Sequence, residues 1–310
     1  MLFEYNGIST DNPVSREPYT LAPTLQETSI TSISPLVCRD ATHYDSHQLA
    51  AILTECFTDY VIPFPLDGPT FATRFNAEGL SLTESRIWSV NNNPVALAIM
   101  VRRGSRCRLA AFAIHPRWRR GGLGTAMLEQ LLREAHQRGD SALWLEVISS
   151  NAAGVALYDK MGFTHQDTLC GFTVPLASGT LNSTITLTRC DPVTAIGSMI
   201  AESDDALPWM IDPLGSVALP SQGYRWGNDA YAIVATAFTK PQLRALHVTP
   251  AARRQGHARR VLQALATQFE GISTPVAVPQ ALTPLFLQAG WEPHPITQFL
   301  LCHSLSEPES

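Results

Sequence analysis

The stretch Ile114-His115-Pro116-Arg117-Trp118-Arg119-Arg120-Gly121-Gly122-Leu123-Gly124 decides how the rest of the chain is read. It follows an apolar run at 107–114 and opens an amphipathic run at 121–138. There Leu123, Met127, Leu128, Leu131, Leu132 and Ala135 recur at helical spacing until Gly139 stops the pattern. The predicted order is strand, glycine loop, helix. Glycine frees the backbone for left-handed conformations and lets a ligand approach without interference from a Cβ. The first helical turn adds unpaired N–H groups and a partial positive charge. Together these features make a cradle suited to a pyrophosphate. A dinucleotide loop needs GxGxxG and a Walker loop needs GxxxxGK[ST]; neither is present. What stands here is Arg-x-x-Gly-x-Gly.

The pattern returns 134 residues later in Val248-Thr249-Pro250-Ala251-Ala252-Arg253-Arg254-Gln255-Gly256-His257-Ala258. At that single offset Pro116 maps to Pro250, Arg119 to Arg253, Gly122 to Gly256 and Gly124 to Ala258. A second amphipathic stripe follows in Ala258, Val261, Leu262, Leu265 and Phe269, and Gly162-Phe163 answers to Gly290-Trp291 at an offset of 128. Such agreement in motif and flanks marks an internal repeat. The 310 residues suit two domains of roughly 150 residues each. The expected organisation is an extended or poorly ordered leader at 1–34, a first domain at 35–176 and a second at 182–305.

Within the first half, periodicity predicts a helix over 45–60, a short helix over 69–79, and strands at 86–90 and 95–101 around the turn Asn91-Asn92-Asn93-Pro94. A strand at 142–148, a helix at 151–161 and a strand at 164–174 follow. The fold class expected is α/β, with two mixed, mostly antiparallel twisted sheets flanked by helices.

Composition narrows the function. With 45% hydrophobic and 16% charged residues and a net charge of −5, the chain is an ordinary globular protein, neither a nucleic-acid coat nor a polybasic membrane binder. No apolar stretch reaches the ~18–20 residues that span a bilayer, and no signal peptide is read at the N-terminus. The six Cys show neither a CxxC pair nor metal-like spacing, so no metal is expected and a reducing cytoplasmic setting is the default. Lysine occurs only at Lys160 and Lys240; the cations are otherwise arginines, which suit phosphate contacts.

Arg119-x-x-Gly122-x-Gly124, placed between a strand and a helix, resembles the acyl-CoA pyrophosphate loop of the GCN5-related N-acetyltransferase (GNAT) superfamily, and Arg253-x-x-Gly256-x-Ala258 fits the same pattern. Downstream, Leu143-Trp144-Leu145-Glu146-Val147, then Asn151, Leu157, Tyr158, Gly162 and Phe163, resembles the second signature of that superfamily and most of all its ribosomal-protein alanine acetyltransferases. The resemblance implies two tandem GNAT-like domains and acetyl-CoA as co-substrate. It implies that Ala113 and Ile114 pair their backbone with the pantetheine arm. The amides of Arg119, Arg120, Gly121, Gly122, Leu123, Gly124 and Thr125 would hold the pyrophosphate. Asn151 would lie near the arm, Tyr158 would protonate the departing thiolate, and Glu146 would serve as general base, directly or through water. The residues themselves leave other readings open. Tyr158 also suits a half-buried helix aromatic, Glu146 a solvent-facing strand residue, and His115, His257 and Trp118 read as loop or rim residues.

The second loop, Val248 with Arg253, Arg254, Gln255, Gly256, His257 and Ala258, is a possible second CoA site. The position answering to Tyr158 is Phe286, the strand expected at 274–278 has no acid, and Pro279 falls where Asn151 stands. The second half therefore reads as degenerate. Phe57, Tyr60 and Phe64 are expected to line the acceptor cleft, with Asp59 or Asp67 meeting a cationic amine. The function expected is acetyl transfer from acetyl-CoA to a small-molecule or peptide amine, and the alternative is a non-catalytic acyl-CoA-binding regulator. Oligomeric state is not legible.

Overall fold

The structure, a computed structural model, describes residues 35–61, 66–176, 185–202 and 207–305. The expected leader at 1–34, residues 177–184 around the expected domain boundary, and Phe64 lie outside the described residues.

The first half runs β1 (Val37–Asp40), α1 (Ser46–Cys56), α2 (Gly68–Glu78), β2 (Arg86–Val90), β3 (Asn93–Arg103), β4 (Arg106–Ile114), α3 (Leu123–Gln137), β5 (Ala142–Ile148), α4 (Ala152–Lys160) and β6 (Thr164–Thr173). Local chemistry sets the ends of these elements. Asp45 and Gln48 form a capping box at the start of α1, and Asp67 caps α2, which Gly79 ends at φ 89°. Asn91 and Asn92 take φ 52° and 62°, the left-handed pair of a two-residue hairpin between β2 and β3. The helix expected over 45–60 is shorter, because the chain turns back after Cys56, with the Tyr60 N–H donating to the Phe57 carbonyl at 3.0 Å.

The second half runs β7 (Thr188–Cys190), α5 (Pro192–Ala201), β8 (Ser221–Trp226), β9 (Ala230–Ala235), β10 (Gln242–Val248), α6 (His257–Gln268), β11 (Val278–Pro279), α7 (Thr283–Gln288) and β12 (Glu292–Ser304). The strand expected at 274–278 shrinks to β11 and an isolated bridge at Ser273. Pro275 and Pro279 have no N–H to give a ladder.

The two halves share strands. The eight-stranded sheet runs β1-β2-β3-β4-β5-β12-β6-β11, and the four-stranded one β10-β9-β8-β7. Strand β12, from the end of the chain, lies between β5 and β6: Gln298 to Ser304 pair with Ile148 to Ala142, and the opposite edge pairs with β6. In return, β6 pairs with β11 through Cys170–Val278 and Leu169–Pro279. Bridges from Ser273 to Thr173 and Gln242 tie the two sheets together. Side chains follow the backbone. Leu301 of β12 is buried in the first half's core beside Leu145, Val147 and Phe163. Phe172 of β6 is buried in the second half's core, stacked on Phe286 at 4.3 Å.

The first half thus completes its sheet with a strand from the second, and each half completes its core with side chains carried on a strand from the other. A chain ended after residue 176 should leave the β5 and β6 edges unpaired and Phe172 in water. It should aggregate or lack tertiary order, and coexpression with 182–310 should restore a folded, soluble species. Size-exclusion chromatography and two-dimensional amide NMR check this; a dispersed spectrum from the first fragment alone would contradict it.

Candidate functional site

Strands β4 and β5 are parallel and part company. Their register holds at Cys107–Leu143, Arg108–Trp144 and Leu109–Leu145 and goes no further among the described residues. Ala111 to Ile114 remain bound to β3 on one edge, with Ala113 opposite Leu97 and Ile114 opposite Ala96. Their other edge faces the opening. A strand edge without a partner can receive an extended ligand.

The glycine loop stands at the mouth of this opening. After a tight turn at Pro116–Trp118, Arg120 takes φ 68° and Gly122 φ 77°, and α3 begins with no side chain capping its amides. A Cβ added at Gly121 or Gly122 meets nothing within 4 Å, whereas one at Gly124 would crowd Ile114 and Leu157 at 3.3 Å. The first two glycines therefore keep the cradle open, and Gly124 lets α4 pack close. Leu123 and Thr125 lie in the first turn of α3. The Arg119 side chain bends back, its Nε donating to the Ile114 carbonyl at 2.8 Å and its Nη2 to the Cys56 carbonyl at 2.9 Å. It shapes the loop and ties it to α1.

The second loop repeats this backbone, with Arg254 at φ 63°, Gly256 at φ 80°, an uncapped α6 and Arg253 Nε donating to the Val248 carbonyl at 3.2 Å. Gln255 donates to the Ala251 carbonyl at 3.1 Å, and the His257 ring packs on Trp226 at 4.7 Å. Ala258 follows in the first turn of α6.

On one face of the first sheet, Tyr158 of α4 is buried in the core with Leu145 and Val147, its ring 5.6 Å from that of Phe163. Burial, and secondarily Tyr60, push its phenol above the ordinary tyrosine range, so it stays protonated at neutral pH. Tyr60 reaches in from the turn after α1. Burial also raises its phenol, while a hydrogen bond with Asn151 opposes that rise. Asn151 caps α4 by accepting from the Gly154 N–H at 3.1 Å. Tyr60, Asn151 and Tyr158 thus meet at the open end of the two strands. Phe57 stands in the core, 3% exposed, rather than in a cleft, and its ring meets that of Tyr60 edge-on at 4.6 Å. Asp59 is exposed, and Asp67 is occupied in capping α2. His115 accepts from the Arg117 N–H as a loop residue, and Trp118 lies at the rim, 38% exposed.

Glu146 lies on the other face, where its reading as a solvent-facing residue fails: α2 covers that side. Its Oε2 accepts from Arg108 Nε at 2.5 Å, and both side chains are buried. Arg108 Nη1 also donates to Glu78 at 2.6 Å, and Glu78 binds Arg74 Nε at 3.0 Å. Burial alone would raise the Glu78 carboxyl; Arg74 and Arg108 outweigh it and hold the group at about 2. Trp209, from the second half, donates its indole N–H to the Glu78 carbonyl at 2.8 Å. Glu146 Oε1 is buried with no hydrogen-bond partner among the described residues, and a buried acceptor that meets no donor costs about 1–3 kcal/mol. Arg108, Glu78 and Arg74 escaped the sequence reading. The available signal was an arginine between Cys107 and Leu109 in an otherwise apolar strand.

Comparison with known proteins fits this geometry. Residues 47–163 match the acetyltransferase (GNAT) family. The [Ribosomal protein bS18]-alanine N-acetyltransferase of Escherichia coli is 38% identical over 100 residues, 32% of this chain and 65% of that protein. The chain thus spans just under two thirds of this relative's length. Two solved structures share the fold over most of this chain. A GCN5-related N-acetyltransferase from Sphaerobacter thermophilus superposes with a TM-score of 0.66 at 12% identity, covering 88% of this chain and 96% of that one. A tandem GNAT protein from the clavulanic acid biosynthesis pathway gives 0.60 at 13% identity, covering 89% and 99%.

The buried ion group also predicts a pH dependence. Because the folded Glu78 carboxyl is depressed, the unfolded chain binds its proton more readily, and the stability it contributes is lost as pH falls from about 5 towards 2. Glu78→Gln should cost about 3–5 kcal/mol at pH 7 and flatten the acid limb. Urea midpoints across that range read both; an unchanged acid limb would refute the assignment.

Proposed function

We propose that this chain is a member of the acetyltransferase (GNAT) family whose first half is the acting one, and that this half transfers an acetyl group from acetyl-CoA to a primary amine. The observation that carries this reading is the open β4–β5 edge, with the uncapped start of α3 at its mouth and a buried phenol beside it.

The pyrophosphate lies on the amides from Arg119 to Thr125, where Gly121 and Gly122 leave room for it. The pantetheine arm runs along the free edge of Ala113 and Ile114 towards Leu109, and the thioester enters the opening between the strands. Tyr158 then stands on one face of the sheet and Glu146 on the other. The amine nitrogen attacks the thioester carbonyl, a C–N bond forms, and the C–S bond breaks. The ammonium proton passes to Glu146 Oε1, directly or through water, because that oxygen has no donor among the described residues. The departing thiolate takes the proton of Tyr158. Holding amine and thioester together supplies much of the acceleration, and no covalent enzyme intermediate forms.

The E. coli relative acts on a protein alanine amine, so a peptide N-terminus joins small amines as an acceptor class. Acceptor choice falls to the face that α1, α2 and Tyr60 cover. Tyr158→Phe keeps the ring and its packing and removes only the proton. It should lower kcat by about 10²–10⁴-fold while leaving acetyl-CoA affinity unchanged. Steady-state rates on an amine panel, with parallel binding titrations, test this. Undiminished turnover would remove the acid role, and absence of turnover from the native chain on every amine class would favour a non-catalytic acyl-CoA-binding regulator.

A further inference from the structure

Helix α1 and the glycine loop of the first half come from separate parts of the chain, and one side chain joins them. Arg119 follows the tight turn at Pro116–Trp118. Its Nε donates to the Ile114 carbonyl at 2.8 Å, at the end of β4, and its Nη2 donates to the Cys56 carbonyl at 2.9 Å, at the last residue of α1. The last carbonyls of a helix have no partner inside it and carry partial negative charge. Helix α1 has no basic residue in its last turn and carries Glu55 there. The cation that suits this helix end therefore comes from the glycine loop, 63 residues away in sequence.

The second half separates the two bonds. Arg253 repeats the first one, its Nε donating to the Val248 carbonyl at 3.2 Å, and makes no second hydrogen bond among the described residues. Helix α5, which follows β7 as α1 follows β1, ends instead on Glu202, whose carboxylate meets His247 Nε2 at 3.0 Å. Yet the loop backbone is the same in both halves, with Arg120 and Arg254 at φ 68° and 63° and Gly122 and Gly256 at φ 77° and 80°. Shaping the loop thus takes only the Nε bond. The Nη2 bond is surplus to it, and it occurs in the half that has Tyr158 rather than in the half that has Phe286 at the answering position.

What the surplus bond holds is the turn after α1. The Phe57 N–H donates to the Leu53 carbonyl at 3.0 Å, the Tyr60 N–H donates to the Phe57 carbonyl at 3.0 Å, and the two rings meet edge-on at 4.6 Å. Just beyond the Arg119 contact, the Tyr60 hydroxyl reaches Asn151 at the start of α4. We propose that Arg119 is a positioning residue: by gripping the end of α1, it makes the placement of Tyr60 beside Asn151 and Tyr158 depend on an ordered glycine loop, and so links the acetyl-CoA side of the opening to the acceptor side. Its side chain touches no reacting atom. This role rests on the glycine loop being the acetyl-CoA cradle.

Arg119→Gln tests it, because the glutamine Nε2 stands where the arginine Nε does and can bond Ile114, while nothing then reaches Cys56. The first readout is hydrogen exchange over residues 53–61, measured by mass spectrometry with and without acetyl-CoA. In the native chain acetyl-CoA should slow exchange there by about tenfold, within the usual range of coupling between two sites. In Arg119→Gln the slowing should vanish, while calorimetry finds acetyl-CoA affinity within about threefold of native, since backbone amides meet the pyrophosphate. The second readout is turnover of an amine that the native chain acetylates. Arg119→Gln should lower kcat by about tenfold, and Tyr60→Phe should cost less in that background than in the native chain, because residues acting as one unit are not additive. Slowing that survives Arg119→Gln, acetyl-CoA affinity that falls in step with turnover, or additive losses overturns the proposal. A native chain that binds acetyl-CoA and slows exchange but turns over no amine upholds the link and removes the acetyl-transfer reading. A native chain that binds no acetyl-CoA removes both.

Discussion

The insertion of β12 between β5 and β6 governs the remainder of the molecule, because buried backbone groups must be paired. Strand β5 has β4 beside it for only three residue pairs before the two diverge. Its other edge is therefore the one that holds it, and that edge is taken by seven residues from the end of the chain, Gln298 to Ser304. The opening between β4 and β5 can stay open because β5 is anchored from behind. The same exchange carries Phe172 into the second core and Leu301 into the first, so neither half has a complete interior alone.

Around this shared sheet the polar interior gathers at one place. Arg108 bridges β5 to α2 through Glu146 and Glu78, and Trp209 of the second half closes on the Glu78 carbonyl. Arg103 and Arg106 pair with Asp212 and lie against the Trp209 ring, adding a second tie between the halves. Buried ion pairs add little net stability compared with apolar packing, yet losing one partner is expensive. Their effect here is geometric: they hold Glu146 on the face opposite Tyr158, with one oxygen committed and the other without a partner among the described residues. The phenol is tuned by the reverse means, since burial without a cation keeps its proton in place.

Much of this was legible in the sequence, and the failures have a common cause. The glycine loops, α3, α6 and the Asn91-Asn92 hairpin are local features, written in turn residues and helical periodicity. The repetition of the glycine loop and its helix at one offset pointed to two similar halves. The destination of a strand is not local. Nothing in 292–304 says that it pairs with 142–148 rather than with its own half, since both halves offer the same edge. Glu146 was ambiguous for the same reason: between Leu145 and Val147 it alternates as a surface residue would, and only the packing of α2 onto that face makes it interior. Arg108 and Arg244 are buried charges in largely apolar strands, and their meaning depends on what tertiary structure brings opposite them.

The central claim is that the uncapped loop of the first half is the seat of acetyl-CoA. Titration of acetyl-CoA into the native chain and into Gly122→Val addresses it directly, because the added side chain meets no protein atom within 4 Å and can act only through the left-handed backbone and the space left for the ligand. The account predicts saturable binding to the native chain and at least a tenfold loss in the variant, with the fold intact by circular dichroism. Native binding that Gly122→Val leaves untouched, or no binding to the native chain at all, would contradict it.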